Sequence, residues 1–140
     1  MGTNGAALTS YDPLIDAAGT LADNNERATG MIYSPRTGRV LAKLKDSTNQ
    51  PLRVPEYIAG VSRYETNQIP INLTQGTSNL ASDIFTADWS ELLIGLRTTF
   101  QVELLRERYA DTGSIGLLAW FRGDILAACP KSFVVTTGVL

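Results

Sequence analysis

Apolar and polar residues alternate in the last third of the chain, which is the pattern of a strand. Phe100, Val102 and Leu104 are separated by polar residues, so this segment predicts a strand with one buried and one exposed face. Residues 115–121 are largely apolar on both faces, and this pattern is typical of a central strand that is buried on both sides. We therefore expect the elements upstream to pack against these strands.

A turn is predicted between the last two strands. Arg122 and Asp124 flank a glycine and lie between two apolar segments, so we interpret this tripeptide as a structural turn. The same three residues spell a motif that cell-adhesion receptors recognise, but a match of only three residues often arises by chance. Pro130 is predicted to form a second turn before a final strand over residues 133–137.

Two helices are predicted in the first third of the chain. Over residues 11–24, apolar side chains recur at helical spacing after a serine N-cap, and a proline fits the first turn. Ser34 and Pro35 repeat the cap-then-proline signal before a second helix that ends near Lys45. A short apolar run at residues 31–33 predicts an inner strand between the two helices.

The remaining segments predict a mixed architecture. Polar and turn-forming residues fill positions 46–51 and 74–78, which predicts exposed loops. Further strands are predicted at residues 52–54, 61–66, 84–86 and 92–96. The order of helix, strand, helix and then many strands predicts an α+β fold, with a mostly antiparallel central sheet flanked by two helices.

The absence of histidine excludes several kinds of active site. Neither Ser-His-Asp nor Cys-His catalysis is available, and the commonest protein ligand for metals is missing. Carboxylate pairs such as Asp23 with Glu26 show no sign of an apolar pocket around them, and the twelve glycines form no phosphate-binding pattern. We therefore predict that the protein is not an enzyme and that it uses no cofactor and no metal.

Charge and hydropathy limit the possible partners. The net charge is −2 and basic residues form no stripe, which argues against specific nucleic-acid binding. No apolar run approaches the roughly 20 residues of a membrane span, so no membrane partner is predicted. The start of the chain lacks a signal-peptide profile, and the single cysteine, Cys129, permits no internal disulfide. We expect folding in the cytosol.

An ordered set of segments resembles the C-terminal half of a tailed-phage major capsid protein. The set comprises Gly30-Met-Ile-Tyr-Ser-Pro-Arg, a helix and a long polar loop, then Asp83-Ile-Phe-Thr-Ala-Asp-Trp-Ser and a strand. It ends with Phe121-Arg-Gly-Asp-Ile, a proline and a phenylalanine. The order and spacing are similar to the family's pattern across residues 10–138.

The resemblance implies two parts of a larger fold. Residues 1–119 resemble the axial domain, which packs around the local five-fold and six-fold axes of a shell, and residues 120–140 resemble the last strands of a truncated peripheral domain. The family's N-terminal arm, extended loop and long spine helix have no counterpart in this sequence, so we expect a fragment of a longer chain. The final strand, residues 133–137, is then expected to have lost its partners and to be frayed, repacked or paired with a neighbouring molecule.

The function that the resemblance implies is structural. Copies of the chain would form pentamers and hexamers in the capsid of a phage or prophage, after synthesis in the cytoplasm of the bacterial host. We expect the two polar loops to make the contacts between subunits nearest the axis. The predicted contact residues are Lys45, Asp46, Ser47, Thr48, Asn49, Gln50, Thr74, Gln75, Gly76, Thr77, Ser78 and Asn79.

Two alternatives remain at this point. An encapsulin-type nanocompartment shell has the same fold but would package an enzyme cargo instead of a genome. A small ligand-binding or enzymatic α+β domain that uses carboxylates belongs to a different functional class. Electron microscopy of the assembled product would distinguish the two shells by their size.

Overall fold

The computed structural model describes residues 1–105 and 107–140, with only the backbone described for Ala110. The chain divides into two compact units. The first unit comprises Met1–Glu91 together with Cys129–Leu140, and the second comprises Leu92–Ala128.

Three helices and seven strands make up the described chain. The helices are α1 (Asp12–Asp23), α2 (Pro35–Ala42) and α3 (Glu56–Ala59). The strands are β1 (Gly30–Tyr33), β2 (Ser62–Glu65), β3 (Leu73–Gln75), β4 (Ser78–Ala87), β5 (Leu92–Leu105), β6 (Gly116–Ala127) and β7 (Phe133–Val139).

The first unit is built around β4. This strand pairs antiparallel with β1, β3 and β7, while β2 extends the sheet by pairing parallel to β1. Helix α1 packs against β4 and β7. Its inward face carries Leu14, Ala18 and Leu21, whose spacing of three and four residues places them on one side of the helix.

The core of the first unit brings these elements together. Leu21, Met31, Ile58 and Ile84 come from α1, β1, α3 and β4, and each is fully buried. Burying a side chain of this size stabilises the folded state by about 1.5–3 kcal/mol relative to leaving it exposed. Because every one of these elements contributes to the same cluster, the first unit has a hydrophobic core of its own.

The second unit is a long antiparallel hairpin. Strands β5 and β6 pair from Leu92↔Ala127 to Leu105↔Gly116, with register shifts between Leu96 and Gln101. Directly paired residues share a face of the hairpin, and side chains alternate along β6. One face, called the apolar face below, therefore carries Leu92, Ile94, Leu96, Val102 and Leu104 of β5, with Leu117, Ala119, Phe121, Gly123, Ile125 and Ala127 of β6.

The opposite face of the hairpin, called the mixed face below, carries polar groups at its middle. Its cross-strand pairs include Gly95 with Asp124, Thr98 with Arg122 and Glu103 with Leu118. Most side chains on both faces are exposed.

Much of the predicted architecture is confirmed. The sheet is mostly antiparallel, and the two longer helices occur at the predicted positions, although α2 ends at Ala42 rather than near Lys45. The strands predicted at 31–33, 84–86 and 92–96 lie within the wider bounds of β1, β4 and β5, and β2 covers residues 62–65 of the strand predicted at 61–66. Residues 52–54, by contrast, form no strand, and the helix α3 that follows them was not predicted.

The prediction of a turn at Arg122 and Asp124 is wrong, because β6 runs straight through both residues. Gly123 lies on the apolar face, where the ring of Phe121 occupies the space that a Cβ would need. The glycine therefore permits close side-chain packing rather than a change of direction. The prediction of a central strand at 115–121 is also wrong, since this segment belongs to a two-stranded hairpin with exposed faces.

The expected division between residues 119 and 120 falls inside β6. A boundary there would split a strand that is paired with β5 along its length, so the units divide next to Leu92 and Cys129 instead.

The final strand has not lost its partner. β7 pairs with β4 from Ala87↔Phe133 to Ser82↔Val139, because the chain returns to the first unit at Cys129. The expectation that it is frayed or repacked is therefore wrong. β7 borders the sheet rather than occupying its centre, and Ala6 bridges to Val139 on its other edge.

Candidate subunit-contact loops

Two segments of the first unit correspond to the predicted contacts. The first contact loop, residues 45–50, follows α2, and the second contact loop, residues 74–79, includes the turn between β3 and β4. Every residue of the first loop is exposed, as are four of the six in the second. Among the described residues, no hydrogen bond joins one loop to the other.

Backbone hydrogen bonds join the two ends of the first contact loop. Lys45 and Pro51 form an antiparallel bridge across its base, and the Asp46 N–H donates to the Gln50 carbonyl at 2.9 Å. Asn49 takes a left-handed conformation with φ of 67°, which asparagine tolerates better than most residues. The loop therefore has one defined shape despite its exposure.

The carboxylate of Asp46 stabilises the first contact loop by accepting hydrogen bonds from other residues of the loop. It accepts hydrogen bonds from the Thr48 hydroxyl at 2.7 Å, the Thr48 N–H at 2.8 Å and the Gln50 N–H at 3.0 Å. The Thr48 hydroxyl, followed by the Gln50 amide, holds the pKa of the Asp46 carboxyl below its usual value. These hydrogen bonds therefore favour the ionised form of Asp46, which organises the loop.

The second contact loop is a tight hairpin turn. Gln75 pairs with Ser78 across the turn, and Gly76 between them has φ of 59°, a conformation that favours glycine. The Thr74 hydroxyl donates to the side-chain oxygen of Asn79 at 3.3 Å. The predicted loop residues are thus partly strand, and their turn is narrower than the sequence indicated.

The start of the chain contacts the second contact loop, and no sequence pattern predicted this contact. The Thr77 N–H donates to the Asn4 side chain at 3.3 Å, and a Cβ on Gly76 would collide with Asn4 and with the Thr3 carbonyl. The terminal amine of Met1 donates to the Thr137 carbonyl at 2.9 Å. No local pattern signals such long-range hydrogen bonds, because a segment rich in glycine and asparagine resembles any loose terminus.

The chemistry of the two loops suits polar contact rather than catalysis. Lys45 and Asp46 are the charged residues of the first loop, and the second loop has no charged residue. Leu80 lies next to the second loop and is 66% exposed, which adds an apolar contact point. Hydroxyls, amides and one ion of each sign are the groups found at the polar rim of protein interfaces.

The described residues contain no group of three or more acidic or cysteine side chains that could hold a metal ion. None of the described helices combines the length and the apolar character that crossing a membrane would require.

Comparison with family models identifies one family. A family model described as "Phage capsid family" matches residues 1–138. Comparison with curated proteins found no match.

Solved structures from three phages share the fold. A chain from Microbacterium phage Oxtober96 superposes with a TM-score of 0.72 at 19% identity, over 99% of this chain and 50% of the other. A chain from Gordonia phage Cozz has a TM-score of 0.67 at 18% identity, over 96% of this chain and 54% of the other. A chain from Mycobacterium phage Ogopogo has a TM-score of 0.62 at 14% identity, over 96% of this chain and 53% of the other. The chain thus spans about half the length of these structures.

Proposed function

Because the chain belongs to the phage capsid family, we propose that it is a structural protein of a phage or prophage shell, in which copies assemble into capsomers around local symmetry axes. The family match supports this role most directly, since it extends over both compact units. The first unit would act as the axial-like part of the subunit, and the hairpin of the second unit as part of the periphery.

The geometry of the contact loops supports their role between subunits. Ring-shaped capsomers need heterologous contacts, in which one surface of a subunit meets a different surface of its neighbour. A loop that already has a defined shape loses little conformational entropy when it binds. The first contact loop fits this requirement, because the Asp46 carboxylate and the bridge at its base fix its backbone.

The partners and location follow from this role. Pentamers and hexamers of the same polypeptide would form the shell, and the protein would reside in the virion after synthesis in the bacterial cytoplasm. The net charge of −2 supports contacts between subunits rather than specific binding of the genome.

Disrupting the first contact loop tests the proposal. The test is a triple variant of the complete polypeptide that carries Lys45→Ala, Asp46→Ala and Asn49→Ala. We expect this variant to reduce the capsomer yield at least tenfold, which corresponds to a loss of about 1.4 kcal/mol or more in the free energy of association. The triple substitution removes both charges, the carboxylate that organises the loop and the residue that tolerates a positive φ. Size-exclusion chromatography and negative-stain electron microscopy would measure the yield.

A matched control lies elsewhere in the first unit. Asp23, Asn25 and Arg27 are exposed, carry the same two charges, and include an asparagine with φ of 60°. Replacing these three residues with alanine imposes a similar backbone penalty without touching either contact loop. Normal shells from the loop variant, or equal loss of shells from the control, would reject the assignment.

A further inference from the structure

Three glycines with a left-handed backbone conformation meet at one end of the first unit. They are Gly5 near the start of the chain, Gly76 in the second contact loop and Gly138 in β7, with φ of 76°, 59° and 77°. A Cβ on Gly5 would lie 2.9 Å from the Gly138 carbonyl oxygen, and a Cβ on Gly138 would lie 3.1 Å from Cγ of Gln75. Each glycine therefore permits the close approach of a segment that is distant in sequence.

Residues 3–6, called the clasp below, join these segments. Ala6 forms a parallel bridge with Val139 at the end of β7, through backbone hydrogen bonds of 2.9 and 3.1 Å. Towards the start of the chain, the Asn4 side-chain oxygen accepts a hydrogen bond from the Thr77 N–H at 3.3 Å. The clasp therefore connects β7, which is paired with β4 in the sheet, to the turn of the second contact loop.

Asn4 supplies the contact to the tip of that turn. Gly76 and Thr77 form the tip, and both are exposed. The pairing of Gln75 with Ser78 closes the base of the turn. In the part of the chain that the structure describes, no other side chain forms a hydrogen bond with the backbone of the tip. Because ordering a mobile turn costs conformational entropy, a turn that is held in place before binding associates more strongly.

We propose that the clasp holds the second contact loop in the shape that contacts a neighbouring subunit, and that Asn4 positions the turn. This role rests on the proposed function, since the loop is a subunit contact only if the protein forms capsomers. Assembly would then depend on a residue that lies 73 positions from Thr77 in the sequence.

The exchange rate of the Thr77 amide in the 140-residue protein, measured by NMR, tests the positioning directly. Asn4→Leu has a similar size but no acceptor, so it should speed this exchange about three- to tenfold. Asn4→Asp keeps an acceptor oxygen and should hold the rate at or below the wild-type value. Thr3→Val is the matched control within the clasp, because no hydrogen bond links the Thr3 side chain to the loop among the described residues. It should leave the rate unchanged.

The capsomer yield of the complete polypeptide separates the clasp from the proposed function. Asn4→Leu should lower the yield about threefold or more, whereas Thr3→Val should leave it at the wild-type level. A wild-type polypeptide that forms no capsomers would reject the proposed function. Wild-type capsomers with a normal yield from Asn4→Leu would overturn the role of the clasp alone. Thr77 exchange that is unchanged in Asn4→Leu, or equally fast in Thr3→Val, would also overturn it.

Discussion

The first unit and the hairpin contain similar strand sequences but differ in how their apolar residues are used. In the first unit, β1 and β4 bury Met31 and Ile84 completely under helices and neighbouring strands. In the hairpin, β6 exposes Leu117 by 70% although its sequence is as apolar as that of a central strand. An apolar pattern therefore shows that a strand needs a partner, but not whether the partner lies within the same 140 residues.

Because the two units bury their apolar side chains to different degrees, a leucine-to-alanine substitution should lower the free energy of unfolding more in the first unit than in the hairpin. Leu21→Ala in α1 removes a fully buried side chain and should lower the free energy of unfolding by about 2–5 kcal/mol. Leu93→Ala on the mixed face of β5 removes a side chain that is 52% exposed and should cost less than about 1 kcal/mol. Urea denaturation followed by circular dichroism would measure both values.

These two substitutions act as controls for each other, because the same atoms are removed from each. Equal losses of stability would mean that the hairpin is as tightly packed as the first unit, and the contrast between the units would then be wrong.

Two glycines that lie beneath aromatic rings provide a finer test. A Cβ on Gly30 would lie 2.9 Å from Cδ1 of Trp89. The indole ring of Trp89 is fixed in place, because its Nε1–H donates a hydrogen bond to the Gly30 carbonyl at 3.0 Å. Phe133 also contacts that indole edge-on at 5.9 Å between centroids. Because the indole is fixed, Gly30→Ala should cost about 1–3 kcal/mol.

Gly123 in the hairpin is the matched position. A Cβ there would lie 2.8 Å from Cζ of Phe121, but this ring is 56% exposed and can rotate away. Gly123→Ala should therefore be neutral or stabilise by up to about 0.5–1 kcal/mol, since alanine suits a strand better than glycine. A destabilisation by Gly123→Ala as large as that by Gly30→Ala would show that the hairpin ring is as constrained as the indole.

The smallest expected effect concerns the charge within the first contact loop. Thr48→Val removes the hydroxyl that contributes most to lowering the pKa of Asp46, so this pKa should rise towards its usual value. The folded pKa lies below the unfolded one, so the stabilisation from Asp46 is present above the unfolded pKa near 4 and is lost as the pH falls through the folded pKa. Carbon-13 NMR titration of the Asp46 carboxyl would measure the shift.

An unchanged pKa in Thr48→Val would mean that the hydroxyl does not hold the carboxylate in solution. Ser47→Ala is the control, because no hydrogen bond links the Ser47 side chain to Asp46 among the described residues.

Local signals predicted the elements that depend on neighbouring residues. Helix α2 begins after Ser34, whose side chain accepts from the Thr37 N–H, as the cap-then-proline pattern indicated. The strand at Ile84 was predicted from its apolar run, and the shape of the first contact loop agrees with its turn-forming residues.

The errors arose where distant contacts decide the structure. Gly123 resembled a turn residue, but its role depends on packing beneath the Phe121 ring in a strand that pairs with β5. The return of β7 to β4 and the contact of Asn4 with Thr77 join residues far apart in sequence. Periodicity describes one segment at a time, so it cannot predict which segments will meet.

Cryo-electron microscopy of particles assembled from the complete polypeptide would test the proposed shell role. We expect closed shells in which the first unit surrounds the local five-fold and six-fold axes, with the first contact loop against a neighbouring subunit. Failure of the polypeptide to form ring-shaped capsomers, or shells in which the first contact loop faces solvent in every copy, would show that the proposed role is wrong.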